Sequence, residues 1–343
     1  MRTTAGFASK FLSKRLLEGL PQPQSVTFSA RNFSSSREKP DLNILFFCPR
    51  NENHFQRFGK DYPDLIHQAQ PKSISISDIA HNPQNNETAI RSLLGKNVSP
   101  SLIIPHLVLI GHTKQEADDK INFFRDSGIN SIIVIRGNPT TVKKDISYMR
   151  HPEGYEDMPQ LMSRIKELHP QMKIIVAAYP SKHPYARSMT EDMDELKRKV
   201  DHGADMIVTQ HFFDNTVFLG FLEECEKRNI KLPMIPSIMP LGNPKYLLNF
   251  SKSANVDIPV EVAQILFRKG GVTTESENIE DKEVRAKAVE YTANQIRSLE
   301  ELKLPQIDRI NTYAANNIPF LKEVLSNLGV INSLEESKGG GRA

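Results

Sequence analysis

Only two cysteines, Cys48 and Cys225, occur in 343 residues. That count argues against a disulfide framework and a cysteine-ligated zinc site, and it suits a reducing compartment. Long apolar runs are missing too. No uninterrupted stretch approaches the ~18 residues that a spanning helix needs, so the chain is expected to be soluble or peripheral. Net charge nearly vanishes once the first 33 residues are set aside. They carry Arg2, Lys10, Lys14, Arg15 and Arg31 against Glu18 alone; taking these five and one from the chain's 44 basic and 41 acidic side chains leaves 39 and 40. The pI of about 8.7 therefore belongs to the leader, and a near-neutral body shows no bias toward nucleic acid. No glycine-rich dinucleotide fingerprint follows any early strand-like run, which argues against a doubly wound sheet.

What the leader does contain is specific. Phe7, Phe11 and Leu12 fall near one helical face among the basic residues, the pattern of a mitochondrial presequence. Arg31-Asn32-Phe33 followed by Ser34-Ser35-Ser36 resembles a matrix-peptidase site: an arginine shortly before the cut, an aromatic at it and a small residue after it. The other reading of this segment is a disordered basic tail. The expected organisation is a presequence at 1–33, a linker at 34–41, a barrel at 42–331 and a disordered tail at 332–343. The expected location is the mitochondrial matrix, free or held against the inner membrane within a complex.

From Asp41 onward, short β-rich runs alternate with longer amphipathic stretches. The runs predict strands at 42–48, 73–77, 103–109, 131–137, 173–179, 205–210, 232–238 and 306–313. Helices are predicted at 113–128, 190–203, 215–229 and 280–302, the first three ending near Gly or Asn. Near-continuous apolar strands separated by helices imply a parallel sheet, and eight units in the space available fit a single-domain (β/α)8 barrel.

Ligands of such barrels sit at the carboxyl ends of the strands. The polar residues there are His106, Arg136-Gly137-Asn138, Tyr179, His183 and Thr209-Gln210. Singly, each has a plain structural reading: His106 as a packed, hydrogen-bonded histidine, and Arg198 and Lys199 as complements to a helix dipole. Their convergence on one rim points to a ligand site, and two prolines in "AAYPSKHP" fix the loop that presents Tyr179 and His183.

These residues, in this order, resemble the catalytic domain of methylenetetrahydrofolate reductase, an FAD-dependent (β/α)8 enzyme. The resemblance rests on "FFCPR" (46–50), "PHL" (105–107), "RGNP" (136–139), "VAAYPSKHPYARS" (176–188), "LKRKVDHGAD" (196–205), "VTQHFFD" (208–214), "IPSIMP" (235–240) and "NLGV" (327–330). It implies that His106, Arg136, Gly137, Asn138, Tyr179, His183, Asp192, Arg198 and Lys199 hold FAD, with Ser77 where threonine is common. The basic pair would neutralise the pyrophosphate. Gln210 and Phe250 match substrate-side residues, the amide on the pterin edge and the ring against nicotinamide or folate. NADH or NADPH is the implied reductant, and no metal is implied.

Three departures lie on the folate side. The family's general acid, a glutamate before the Phe-Phe of the first strand, is Leu45 here, and no carboxylate occurs between Leu42 and Arg50. Asn138 stands where the family has aspartate, which keeps the shape but loses the charge beside the flavin, so the flavin potential is expected to rise. The family's late arginine aligns with Asn317. Tyr185 also replaces a common acid in the loop after the fifth strand. The eukaryotic regulatory domain is not matched, and control by adenosylmethionine is not expected. Three readings stay open: a flavoprotein that no longer reduces folate, a working reductase, and an inactive accessory subunit of a mitochondrial, for example respiratory-chain, complex. The partners implied are other subunits or copies of this chain.

Overall fold

The computed structural model describes residues 39–49, 52–78, 84–137, 151–267, 272–314 and 317–332. The expected presequence, most of the linker, the tail beyond Asn332 and Asn138 lie outside the described residues.

Eight strands form a closed, all-parallel barrel in sequence order: β1 (Leu42–Phe46), β2 (Ser73–Ile76), β3 (Ile103–Val108), β4 (Ser131–Ile135), β5 (Lys173–Ala178), β6 (Met206–Phe212), β7 (Met234–Ile238) and β8 (Ile310–Tyr313). The barrel expected from the sequence is the one observed. Most strands stop one or two residues before their predicted ends, because the ladder gives way there to rim contacts; the Cys48 amide, for example, donates to Ser77 Oγ at 2.9 Å. β6 instead runs on to Phe212, its pairing with β7 shifting register between Val208 and His211. Such a bulge re-aims side chains at a rim.

Around the barrel lie α1 (Glu52–Ala69), α2 (Gln84–Leu94), α3 (Lys114–Asp126), α4 (Met158–Leu168), α5 (Met189–Asp201), α6 (Asn215–Lys227), α7 (Pro244–Ala254), α8 (Val260–Phe267), α9 (Lys282–Glu301) and α10 (Ile318–Asn327). Their starts follow from local chemistry. Thr113 and Glu116 form a reciprocal capping box on α3, and Ser188 caps α5 by accepting from the Glu191 amide. Alternate strand residues face the helices: on β1, Ile44 and Phe46 are fully buried, and the Phe46 ring lies 4.5 Å from Tyr62 and 6.3 Å from Phe58 of α1. Each such aromatic pair adds about 0.5–1.5 kcal/mol beyond the area it buries.

The remaining residues fill the barrel unevenly. On the β3–β7 side the inner layer is aliphatic: Ile104, Ile133, Ile175, Met206, Val208 and Ile235. On the β1, β2 and β8 side it is a polar network. Asn43 Nδ2 donates to Asn311 Oδ1 at 2.7 Å and to Ser75 Oγ at 2.8 Å, Ser73 Oγ donates to Asn43 Oδ1 at 2.7 Å, and Asn311 Nδ2 donates to Ser237 Oγ at 2.8 Å. These partners satisfy groups that would otherwise be costly to bury. One buried helix residue is also charged. Lys120 of α3 lies on the same stripe as Ala117, Ile121 and Phe124, and its ammonium donates to Asp78 at 2.8 Å, both side chains being almost fully buried.

Candidate active site

Inward and outward side chains alternate along a strand, so the rim collects every second residue at the strand ends. Continuing from Asn43, β1 offers Leu45 and then Phe47. By the same rule β2 offers Ser75 and Ser77, β3 His106, β4 Gly137, β5 Tyr179, β6 Gln210 and β8 Tyr313. All of these line one cavity of about 1530 Å3. Arg136, His183, the α5 residues Asp192, Arg198 and Lys199, and Phe250 of α7 line it too. The structure thus brings together each described residue expected from the sequence.

His106 is held by its backbone, whose carbonyl accepts from Asn86 Nδ2 at 2.9 Å. Its Nε2 is buried and makes no hydrogen bond among the described residues. Burial pulls its pKa down to about 4, against the opposing charge of Asp78, so the ring is neutral near pH 7 and its nitrogen is open to a ligand. Gly137 adopts φ +90°, and a Cβ there would lie 2.3 Å from Val108 Cγ1. Only glycine serves at this turn.

The loop after β5 is rigid. The Lys182 amide donates to the Tyr179 carbonyl, and the Ala186 amide to that of His183, both at 3.1 Å. Asp192 then accepts from the His183 amide at 2.7 Å, tying the loop to α5. Burial raises the Asp192 carboxyl, the His183 amide and Lys199 acting against it. Burial also takes His183 down to about 4, helped by the charges of Arg136 and Lys199.

The two expected phosphate ligands differ. Arg198 is engaged at the surface, with Asp157 at 3.0 Å and Glu195 at 2.9 Å. Lys199 forms no ion pair among the described residues; its ammonium reaches only the Ala177 carbonyl, at 3.4 Å. Desolvation pulls it below the ordinary lysine range, partly offset by the charges of Glu195 and Asp192. An ammonium so placed is the natural seat for an anionic group.

The barrel centre is built around Gln210, whose Oε1 accepts from the His211 amide at 2.9 Å and from Tyr313 Oη at 3.3 Å. His211 Nδ1 lies 2.8 Å from the same oxygen and Nε2 lies 3.1 Å from Ser251 Oγ, which fits a proton on Nδ1. Burial takes His211 down to about 3, so it stays neutral. Its ring stacks on Phe250 at 5.0 Å, and Phe250 stacks on Tyr246 at 5.3 Å. His211, Tyr313 and Tyr246 were not singled out from the sequence. Tyr313 carried a signal, two residues beyond Asn311 on the same inward face; His211 reaches the site through the β6 bulge, which left none.

Leu45 is 5% exposed. Its partners in register are Ser75 on β2 and Tyr313 on β8. Carboxylates lining the cavity are Asp78, bonded to Lys120, and four on or near α5: Glu191, Asp192, Asp194 and Glu195. Asn317, expected from the resemblance to stand at the family's late arginine, caps α10 and donates to the Gly242 carbonyl at 2.9 Å. Among the described residues no cluster of His, Cys, Asp and Glu is placed to hold a metal ion, and no helix is long and apolar enough to cross a membrane.

Comparison with known proteins agrees with this architecture. A solved structure of an uncharacterized protein from Clostridium thermocellum, which binds two copies of 5-methyl-5,6,7,8-tetrahydrofolic acid, superimposes with a TM-score of 0.58 at 15% identity, covering 86% of this chain and 94% of that one. At that identity the likeness shows the fold alone. The 5,10-methylenetetrahydrofolate reductase of Escherichia coli is 31% identical over 244 residues, 69% of this chain and 77% of the relative. A probable methylenetetrahydrofolate reductase (NADH) of Oryza sativa is 29% identical over 317 residues, 87% of this chain and 49% of the relative. Because residues 32–329 also match methylenetetrahydrofolate reductase as a family, nearly the whole barrel is accounted for, and the chain belongs to the methylenetetrahydrofolate reductase family.

Proposed function

We propose that this chain is a mitochondrial FAD-binding member of the family, one that oxidises NADH or NADPH but has lost the proton donor for folate reduction. The observation that carries the reading is Leu45, an apolar side chain on the inner wall where the family's general acid belongs, flanked in register by two hydroxyls. Burial raises the Tyr313 phenol above its ordinary value, outweighing a hydrogen bond with Ser237. A phenol held there does not release a proton as a carboxyl does.

Support for the flavin comes from His106 Nε2, which has no hydrogen-bond partner among the described residues, and from the Lys199 ammonium at the same cavity, which among them has no ion pair and reaches only the Ala177 carbonyl, at 3.4 Å. His106, Arg136, Gly137, Tyr179, His183, Asp192 and Lys199 would hold FAD, with Ser77 and Asn138 completing the set and Arg198 joining after sharing its ion pairs. Bound there, FAD supplies the hydride acceptor and donor. The chain's own part is to exclude water, orient the rings and supply the counter-charge.

Replacing Lys199 and Arg198 together by alanine is expected to weaken FAD binding by at least tenfold, at ~1.5–3 kcal/mol for each charged hydrogen bond lost. Titration of the apoprotein by flavin fluorescence measures it. Wild-type protein that takes up no FAD in excess ends the flavin reading. Import rests on the basic leader and on the family match beginning at residue 32; the mature chain is expected to start near Phe33, and mass spectrometry finding Met1 retained would contradict it.

A second reading, a working reductase, draws on one observation: the Gln210–His211–Phe250 arrangement is complete and tightly bonded. The proton would then have to come from a group other than residue 45.

A further inference from the structure

Tyr185 is 63% exposed, the only aromatic side chain so exposed among the described residues. It lines the mouth of the same cavity. A single exposed ring needs no partner on that account alone; what sets this one apart is its place at the cavity and the contacts that fix it there. Tyr185 is held. Its amide donates to His183 Nδ1 at 3.1 Å, its ring lies 5.6 Å from that of His183, and the Arg136 guanidinium sits 4.8 Å from its centroid. Pro180 and Pro184, both before it, limit the loop that leads to it.

The rings also form a series. Tyr179, in hydrogen-bonding range of Gln210 at the barrel centre, packs edge-on against His183 at 4.4 Å, and His183 leads to Tyr185 at the mouth. Beside this series stand the cations Arg136 and Lys199, whose charges both act on His183. The series thus offers rings at its inner end, positive charge beside its middle and outer members, and an exposed ring at its outer end. That order matches a dinucleotide: a flat ring, a pyrophosphate, a second flat ring.

We propose that Tyr185 is the stacking platform for the adenine of the dinucleotide cofactor, with Arg136 behind it and its other face presented to the base. The proposal rests on the flavin reading above. It makes Tyr185 the residue by which the site distinguishes a flavin dinucleotide from a flavin mononucleotide, since only the former has an adenine to stack. Base–aromatic stacking is worth enough for a change of roughly tenfold or more in affinity when the ring is removed.

The test measures FAD and FMN binding to apoprotein by flavin fluorescence for wild type, Tyr185→Ala and Tyr185→Phe. Tyr185→Ala is expected to lose about tenfold or more in FAD affinity while its FMN affinity stays within about twofold of wild type. Tyr185→Phe is expected to keep FAD binding, because the ring and not the hydroxyl is used. The unchanged FMN affinity also shows that the alanine variant is folded. Equal losses for FAD and FMN would overturn the stacking role and leave Tyr185 as a support for Arg136. No loss for FAD would overturn it as well. Wild type that binds neither flavin would overturn the flavin reading and this proposal together, an outcome distinct from the other two.

Discussion

Lys120→Met is expected to lower the free energy of unfolding by about 3–5 kcal/mol, the usual result of removing one partner of a buried ion pair. The Asp78 carboxylate is fully buried beside the lysine, with His112 Nε2 at 3.7 Å. Methionine fills the space but removes the cation facing that charge, and it deprives Asn86 Oδ1 of a donor 3.2 Å away. In the wild type, burial on its own would raise the Asp78 carboxyl, but the His112 contact and the Lys120 charge outweigh it and hold it below the usual range. A lowered folded-state value means that the pair's contribution is present above the ordinary carboxylate pKa of about 4 and fades as pH falls through the lower folded value. In the variant the Lys120 attraction is gone while the His112 contact stays, so the Asp78 carboxyl moves up from its wild-type position and the deficit should shrink as acid protonates it. Urea denaturation of both proteins at pH 7 and pH 5 measures this. A deficit under 1 kcal/mol at pH 7 would show that the pair carries no such load.

NADH or NADPH is expected to bleach the flavin band of the FAD-loaded protein, while methylenetetrahydrofolate restores it about 10²–10⁴ times more slowly than in a relative that has the glutamate, the range that loss of a general acid commonly costs. The first half needs stacking and orientation, which Phe250 and Gln210 are placed to give. The second needs a proton where Leu45 presents an aliphatic wall. Leu45→Glu should recover part of the difference and no more, because Asn138 and Asn317 remain. A carboxyl at that buried position would be partly desolvated and so raised toward the range useful to an acid at neutral pH. Stopped-flow absorbance separates the steps. Fast reoxidation by folate in the unmodified protein would restore the working-reductase reading, and a flavin that responds to neither substrate would shift weight to the accessory-subunit reading.

The barrel was legible because its strands are β-branched runs and its helices carry their own caps; the eight runs and four helices named from the sequence all exist, most with ends displaced by a residue or two, while β8 starts four residues later than expected. The site came from strand ends and from the family resemblance; alternation adds Tyr313 and the inward aim of Leu45 only once the structure shows Asn43 and Asn311 facing the barrel interior. The buried pair was missed for a different reason. Lys120 falls on the apolar stripe of "KQEADDKINFFRD" with Ala117, Ile121 and Phe124, and a lysine on such a stripe is a sign of a buried acid nearby, but its partner lies 42 residues earlier in a turn that no local pattern marks. His211 was hidden by the bulge, since a one-residue register shift depends on the neighbouring strand and not on β6 alone.

Asn43 and Asn311 touch although 268 residues separate them. At about 5–20 residues per second, a ribosome takes roughly 15–50 s to deliver the second after the first. For that interval β1 and whichever strand was made last are sheet edges with open ladders, β7 being the final one before closure, and the cavity wall between Leu45 and Tyr313 does not exist. Contacts this distant slow folding, and exposed edges invite pairing with other chains. Sealing the barrel and completing the pocket are therefore one late event, wherever the chain folds.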